Sequence, residues 1–353
     1  MKTSQELQQL RAVLLAHYDK NGRSLPWRIR PKDREAGAIA DPYKIWLSEI
    51  MCQQTSVTAA APFWHKFLQK WPSVDDLANA PRDEVLTAWA GLGYYARARN
   101  LHKCACIVAH EYGGQFPKSE QGLLKLPGIG PYTAAAIASI CWGEATNIVD
   151  GNVERVISRL RMVDIPLPKG KGEIHRLAGK IADPQRAGDY GQALMDLGSQ
   201  ICKPRNPKCG MCPWAFACKA KEAGFMEEYP KRLKKQKRPI RYGAVFYMQC
   251  GSKILLRKRA DKGLLGGMME VPGTEWTLVK QTIDTLLLSA PVRRNWQVCE
   301  QEVVHVFTHF TLHLTVFTAQ VGKEQAGIWA HLDRLDDYAL PSLMRKAIHL
   351  AQK

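Results

Sequence analysis

ICKPRNPKCGMCPWAFACKA, residues 201–220, holds four of the chain's ten cysteines in a C-x6-C-x2-C-x5-C pattern. Cys202, Cys209, Cys212 and Cys218 have no histidine among them. Thiolates are soft donors that suit zinc or an iron–sulfur cluster. Structural zinc sites commonly draw on two separated knuckles, and this stretch has a single CxxC. Four thiolates on one tight loop suit a compact cluster with a ligand at each corner. Zinc is the alternative, and unrelated thiols are the weaker one. Lys203, Arg205 and Lys208 lie between the first two cysteines. A loop tied at both ends presents such cations to phosphate at low entropic cost.

The rest of the chain agrees with a polyanionic partner. Its 353 residues carry a formal net charge of +17. An excess of this size points to nucleic acid before a membrane surface, with a cationic face kept for solubility as the bland reading. The N-terminal stretch MKTSQELQQLRAVLLAHYDK is amphipathic and lacks the apolar segment of a signal peptide. The longest apolar run, Ala134 to Trp142, is too short to span a bilayer. The expectation is a soluble, cytoplasmic protein, where a disulfide reading of the cysteines is disfavoured.

Up to about Met226 apolar residues recur at three- and four-residue steps, as in YKIWLSEIM and DEVLTAWAGL, which predicts helices. PKRLKKQKRPIR, residues 230–241, then holds seven Lys or Arg and no acid, and reads as a linker. Beyond it the period changes to two. YGAVFYMQ, SKILLRKR and VVHVFTHFTLHLTVF read as strands, the first two joined by a tight turn at Cys250 and Gly251.

Two carboxylates and a glycine turn stand out in the helical part. In LPGIGPYTAAAI, residues 126–137, Gly128 and Gly130 allow a tight turn that brings amides to an anion, and Pro131 suits the first turn of the next helix. A plain helix–helix connection could use the same turn. Glu49 in IWLSEIMCQQT has Ile45, Trp46 and Cys52 as helical neighbours. Such an apolar setting raises a carboxyl pKa toward what a general acid needs; a helix-surface glutamate is the ordinary alternative. Asp150 in NIVDGNVERVISRL sits just before a helical pattern and reads as an N-cap, where the helix end favours its ionised form. One protonated and one ionised acid is the arrangement glycosidic cleavage requires.

The cysteine spacing matches the cluster loop of endonuclease III-like DNA glycosylases, and the glycine turn resembles their helix-hairpin-helix. With LPWR, WLSEIMCQQT, GLGYYARARNLH, VDGNVERV and MDLGSQIC in order, the chain is identified as a member of the MutY-type adenine glycosylases. The resemblance implies a multidomain fold. An all-α helix-hairpin-helix glycosylase region would span 1–226, with a six-helix barrel at 22–140 and a cluster domain at 1–21 and 141–226. A basic linker would follow at 227–240, then an α+β Nudix-like domain at 241–353.

The same resemblance implies one 4Fe–4S cluster on the four cysteines, and removal of adenine opposite 8-oxoguanine or guanine in duplex DNA. Glu49 would protonate the adenine at N7 and later handle the incoming water. Asp150 would stabilise the oxocarbenium-like sugar, with Tyr132 and Asn152 in support. Strand-cutting relatives carry Lys where this chain has Tyr132, so a monofunctional enzyme without Schiff-base chemistry is expected. Gln54 and Tyr94 are the residues implied at the opposite base, with Gln53 and Thr55 as further candidates. For Tyr95 core packing and a DNA contact are evenly balanced, and Arg97 and Arg99 read as facing solvent or phosphate. A thymine-mismatch or lyase relative, or a non-enzymatic DNA-binding or redox protein, is the competing reading. Tyr132 and the second domain speak against the first pair, and intact Glu49 and Asp150 against the last.

GLLGGMMEVPG resembles a Nudix segment, yet only Glu275 and Asp284 follow it as acids in TEWTLVKQTIDTLL, too few for a magnesium site. The second domain would instead recognise 8-oxoguanine through Thr308 and His309 of VFTHF; the family usually has Ser at the first of these. His305, His309 and His313 read as one face of an extended strand, spread too far for a single ion. The segment 29–41 is longer than relatives usually carry, and reads as a tolerated surface loop. A monomer is expected, nucleoid-associated, with no motif for a sliding clamp or mismatch-repair protein.

Overall fold

The computed structural model describes residues 4–233 and 237–353. In chain order its helices are α1 (Ser4–Asn21), α2 (Pro31–Glu35), α3 (Pro42–Cys52), α4 (Val57–Lys70), α5 (Val74–Asn79), α6 (Arg82–Trp89), α7 (Ala96–Glu111), α8 (Glu120–Leu123), α9 (Pro131–Trp142), α10 (Gly151–Arg161), α11 (Lys171–Ile181), α12 (Ala187–Asp196), α13 (Lys219–Ala223), α14 (Ile283–Leu287) and α15 (Ser342–Ala351). The strands are β1 (Ile240–Cys250), β2 (Lys253–Lys258), β3 (Met269–Glu270), β4 (Gln297–Val298), β5 (Val303–Val306), β6 (Thr311–Gln320) and β7 (Ile328–His331). No helix among the described residues is long and apolar enough to cross a membrane.

Contacts group Met1–Ala78 with Lys103–Lys234, and Asn79–His102 with Lys235–Lys353. The sequence-based division differs at two places. It kept 79–102 with the helical region, whereas their contacts group them with the C-terminal unit. It also began a linker at 227, yet Leu167 forms a bridge with Arg232 and its amide donates to the Lys231 carbonyl at 2.8 Å. That part of the basic run is therefore bound to the first unit. Residues 234–236 of the expected linker lie outside the described residues.

In the first unit α10 is the central element. Val153, Val156, Ile157 and Leu160 recur at helical spacing and are buried with Leu10 and Leu14 of α1, Ile174 of α11, Leu194 of α12 and Trp214 of the cysteine loop. Each such side chain contributes roughly 1.5–3 kcal/mol by leaving water. Trp214 also donates its indole N–H to the Leu10 carbonyl at 2.9 Å, which ties the cysteine loop to the N-terminal helix. The buried run Thr133–Ser139 on α9 is mostly alanine, and small residues let α3 and α12 pack close on either side of it.

In the second unit a seven-stranded sheet runs β3-β2-β1-β6-β4, with β5 pairing β6 and β7 pairing β2. β1 and β6 are parallel from Ile240↔Thr311 to Gln249↔Gln320. A two-residue turn at Gly251 and Ser252 joins β1 to β2, one residue beyond the Cys250 and Gly251 that the alternation predicts, because Cys250 still pairs with Lys253. VVHVFTHFTLHLTVF is not one strand. β5 and β6 are antiparallel, the last pair being Val306↔Thr311, and the Phe307 amide donates to the Phe310 carbonyl at 2.9 Å. The three histidines therefore do not share one strand face: His305 and His313 lie on opposite arms of a hairpin, and His309 lies on its tip. Alternation alone cannot show a two-residue turn whose residues, Thr308 and His309, are no turn formers.

Candidate active site

Asp41 caps α3 by accepting from the Tyr43 and Lys44 amides, which starts the helix that carries Glu49. Glu49 keeps an opening to solvent although protein atoms crowd its carboxyl. Burial pushes its pKa up to about 7, helped by the negative charge of Asp150 and opposed by a hydrogen bond from Tyr132 and the charge of Arg28. Tyr132 opens α9 just after Pro131, and its hydroxyl also lies 3.1 Å from Met195 Sδ. Burial and the adjacent carboxylates of Glu49 and Asp150 hold that hydroxyl firmly protonated. It can donate a proton to a hydrogen bond but not surrender it.

Asp150 caps α10. Its Oδ1 accepts from the Asn152 and Val153 amides at 2.9 and 2.7 Å, and its Oδ2 from Asn152 Nδ2 at 2.7 Å. Three N–H donors on two oxygens are what an anion wants at a helix N-terminus. The capping and functional readings are thus compatible.

α10 continues into residues that the sequence did not single out. Arg155 donates to Asn152 Oδ1 at 3.0 Å, to the Gly198 carbonyl at 2.6 Å and to the Cys202 carbonyl at 2.8 Å. One turn on, the fully buried Arg159 donates to the carbonyls of Tyr229, Lys203 and Pro204 and lies 3.3 Å from Cys202 Sγ. The signal was available: Arg155 and Arg159 stand one helical turn apart beside the apolar stripe of VERVISRL. Arg28 of LPWR pairs with Asp196 at 2.6 Å and was likewise missed.

Cys202, Cys209, Cys212 and Cys218 line one cavity with Arg159, Ile201, Pro207, Ala215, Lys221 and Met226. None of the four is in a disulfide. Four soft thiol donors from one short loop, gathered around a common cavity, suit a cluster with a ligand at each corner. Lys203, Arg205 and Lys208 are exposed on the loop between the first two.

At the glycine turn Gly128 holds φ +78°, a conformation that disfavours a side chain, and Gly130 caps α9. After α3, Gln53 donates to Thr133 Oγ1 at 3.1 Å and is engaged internally, whereas Gln54 is exposed with φ +58°. Thr55 is half-buried, its hydroxyl directed at the Gln53 carbonyl.

Within the C-terminal unit Tyr94 is half-exposed with φ +46°, and its hydroxyl lies 3.1 Å from Thr308 Oγ1 at the hairpin tip, where Thr308 and His309 are both exposed. Strained backbone at exposed residues is a common mark of function. Tyr95 is core. Arg97 does not face solvent but is buried on the Leu92 and Gly93 carbonyls, and the half-buried Arg99 donates to the Gly266 carbonyl at 2.7 Å. Free carbonyls at the GLGYY turn and in the Nudix-like segment claim them. Glu270 of that segment is buried and engaged by Arg257 and Arg259, so its carboxylate is neutralised by protein rather than turned to a metal.

Three family models match the chain: the HhH-GPD superfamily of base excision DNA repair proteins at 47–184, the iron–sulfur binding domain of endonuclease III at 202–218, and a NUDIX domain at 244–350. The adenine DNA glycosylase of Homo sapiens is 33% identical over 88% of this chain and 67% of its own length. That of Buchnera aphidicola (strain Sg) is 32% identical over 96% of this chain and 97% of its own. The chain belongs to the adenine DNA glycosylase family. A solved thermostable thymine-DNA glycosylase is 27% identical over 62% of this chain and 98% of its own, with a TM-score of 0.54. An endonuclease III–DNA complex, 21% identical at TM-score 0.52, shares the fold. As a family member the chain is a DNA glycosylase of base excision repair that removes adenine from double-stranded DNA and carries a 4Fe–4S cluster on its four-cysteine loop.

Proposed function

We propose that this glycosylase is monofunctional and acts on adenine paired with 8-oxoguanine or guanine, leaving an abasic site. The observation that carries the reading is the pairing of two unlike acids around Tyr132. Glu49, with a pKa near 7, holds a proton to give to N7 of the extruded adenine, which makes the base a neutral leaving group. Asp150, fixed by its three N–H donors, lies ready to stabilise the positive sugar that remains. Asn152 orients that carboxylate. Once the base departs, the Glu49 carboxylate takes a proton from the attacking water. Tyr132 supports Glu49 through its hydroxyl and offers no amine for a Schiff base.

The DNA-facing roles follow the same logic. Gly128 and Gly130 grip phosphate through backbone amides, and Lys203, Arg205 and Lys208 through charge. The cluster, when bound, fixes the loop that carries those cations. Gln54, Thr55 and Tyr94 fill the gap left by the flipped adenine, and Thr308 and His309 meet the opposite base. Residues 22–140, the flanking segments 1–21 and 141–226, and 241–353 serve as barrel, cluster domain and lesion-recognition domain. The enzyme works as a monomer in the cytoplasm, at the nucleoid.

A single-turnover assay on a duplex with adenine opposite 8-oxoguanine, guanine or thymine, each sample split with and without alkali, tests this. Strand breaks only after alkali, formed fastest with 8-oxoguanine, are expected. Cutting without alkali would overturn the monofunctional reading, and equal rates against every partner base the lesion-reading one.

A further inference from the structure

Just beneath the tip of the hairpin, aromatic rings form a platform. Phe307 and Phe310 lie 4.8 Å apart, and Trp276 lies 5.7 and 6.1 Å from them. Trp276 reaches this place because β1 has Gly243 beneath it: a Cβ there would come within 2.7 Å of the indole Cδ1. Two guanidinium groups cap the platform. Arg259 stands 5.4 Å from the Trp276 ring and Arg241 stands 4.6 Å from the Phe310 ring.

The two arginines have different fates. Arg259 is engaged by Glu270. Arg241 is exposed, and among the described residues its guanidinium makes no ion pair or hydrogen bond. Arg82, Arg334 and Arg345 of the same unit pair with Asp261, Asp337 and Asp336, while Arg99 and Arg294 donate to backbone carbonyls. Arg241 also ends a run, KRPIR, that contains no acid. A guanidinium stacked on a ring gives up little rotamer freedom when it binds, and its planar fork matches phosphate oxygens. The β1–β6 register places it opposite Leu312, three residues beyond His309.

We propose that Arg241 binds a backbone phosphate of the strand that carries the base opposite adenine, held ready by its stack on Phe310. The strand assignment rests on the reading of Thr308 and His309 above; the phosphate contact does not. A phosphate contact strengthens binding whatever the base, and it adds about one unit to the salt dependence of affinity.

The test uses the full-length protein with its cluster, and duplexes holding a non-hydrolysable adenine nucleotide opposite 8-oxoguanine or guanine. Affinity is measured across a salt series. R241Q is expected to weaken binding about tenfold on both duplexes alike and to flatten the salt slope by about one. R241K keeps the slope, and T308A changes the ratio between the duplexes without changing the slope. A methylphosphonate placed beside the 8-oxoguanine is expected to erase the difference between R241Q and the parent. An unchanged slope, or a loss confined to one duplex, overturns the phosphate role. Erasure by a methylphosphonate on the adenine strand alone overturns the strand assignment. If T308A leaves the ratio unchanged while R241Q flattens the slope, the lesion-reading role falls and the phosphate contact stands.

Discussion

The Tyr94 hydroxyl lies 3.1 Å from Oγ1 of Thr308, joining a strained turn to a hairpin tip. Each group fixes the other's rotamer, so they should act on the opposite base as a pair. Y94F and T308A are each expected to reduce the preference for 8-oxoguanine over guanine about two- to tenfold, the worth of one hydrogen bond. The double variant should lose little more than either alone, and T308S should keep the preference. A double-mutant cycle on binding ratios checks this; simple additivity would separate the two residues.

The raised pKa of Glu49 predicts a descending pH–rate limb. Its acid form falls away as pH rises through about 7, so single-turnover rates should drop above that point. E49Q should remove the limb and lower the rate at least about 100-fold. Stability falls with rising pH as well, over a lower window. Between the ordinary carboxyl value of 4.5 and about 7 the folded state binds more protons than the unfolded one, so stability falls as pH rises through that window. E49Q removes that loss, and thermal melts at pH 8 should show it to be the more stable protein, by about 3 kcal/mol at most.

Tyr132 holds the Glu49 value down through its hydrogen bond while burial pushes it up. Y132F should therefore shift the descending limb to higher pH. Y132K puts an amine beside both acids, and it should bring strand cutting without alkali and a borohydride-trappable adduct. A Y132K protein that excises adenine yet forms no adduct would show that the amine cannot reach the sugar.

Arg159 places its donors on four carbonyls, of residues 202, 203, 204 and 229. R159Q leaves several of them buried and unmet, at about 1–3 kcal/mol each. Iron content and the visible absorbance of purified protein should both fall, as they should in C212S. Retention of full iron content in R159Q would show that the cysteines alone organise the loop.

The sequence disclosed most where residue type itself dictates chemistry. Four cysteines at tight spacing, an acid on an apolar helix face and an Asp before a helical run were all legible because each has few stable uses. Arg155 and Arg159 were not, because arginine on a helix ordinarily reaches water, and only the fold shows the carbonyls that wait for it. Arg97 and Arg99 failed for the same reason. The hairpin at Thr308 was hidden because its tip lacks turn-forming residues, and the pairing of β5 with β6 is a tertiary choice.

That tip has a consequence for how recognition can change over generations. Its two residues close a ladder whose alternate side chains face opposite ways. Inserting or deleting one residue in either arm would turn every following side chain to the other face. If positions 308 and 309 read the opposite base as proposed, replacement there can alter the preference while the ladder stays in register, whereas a change in the length of an arm would disturb the whole face.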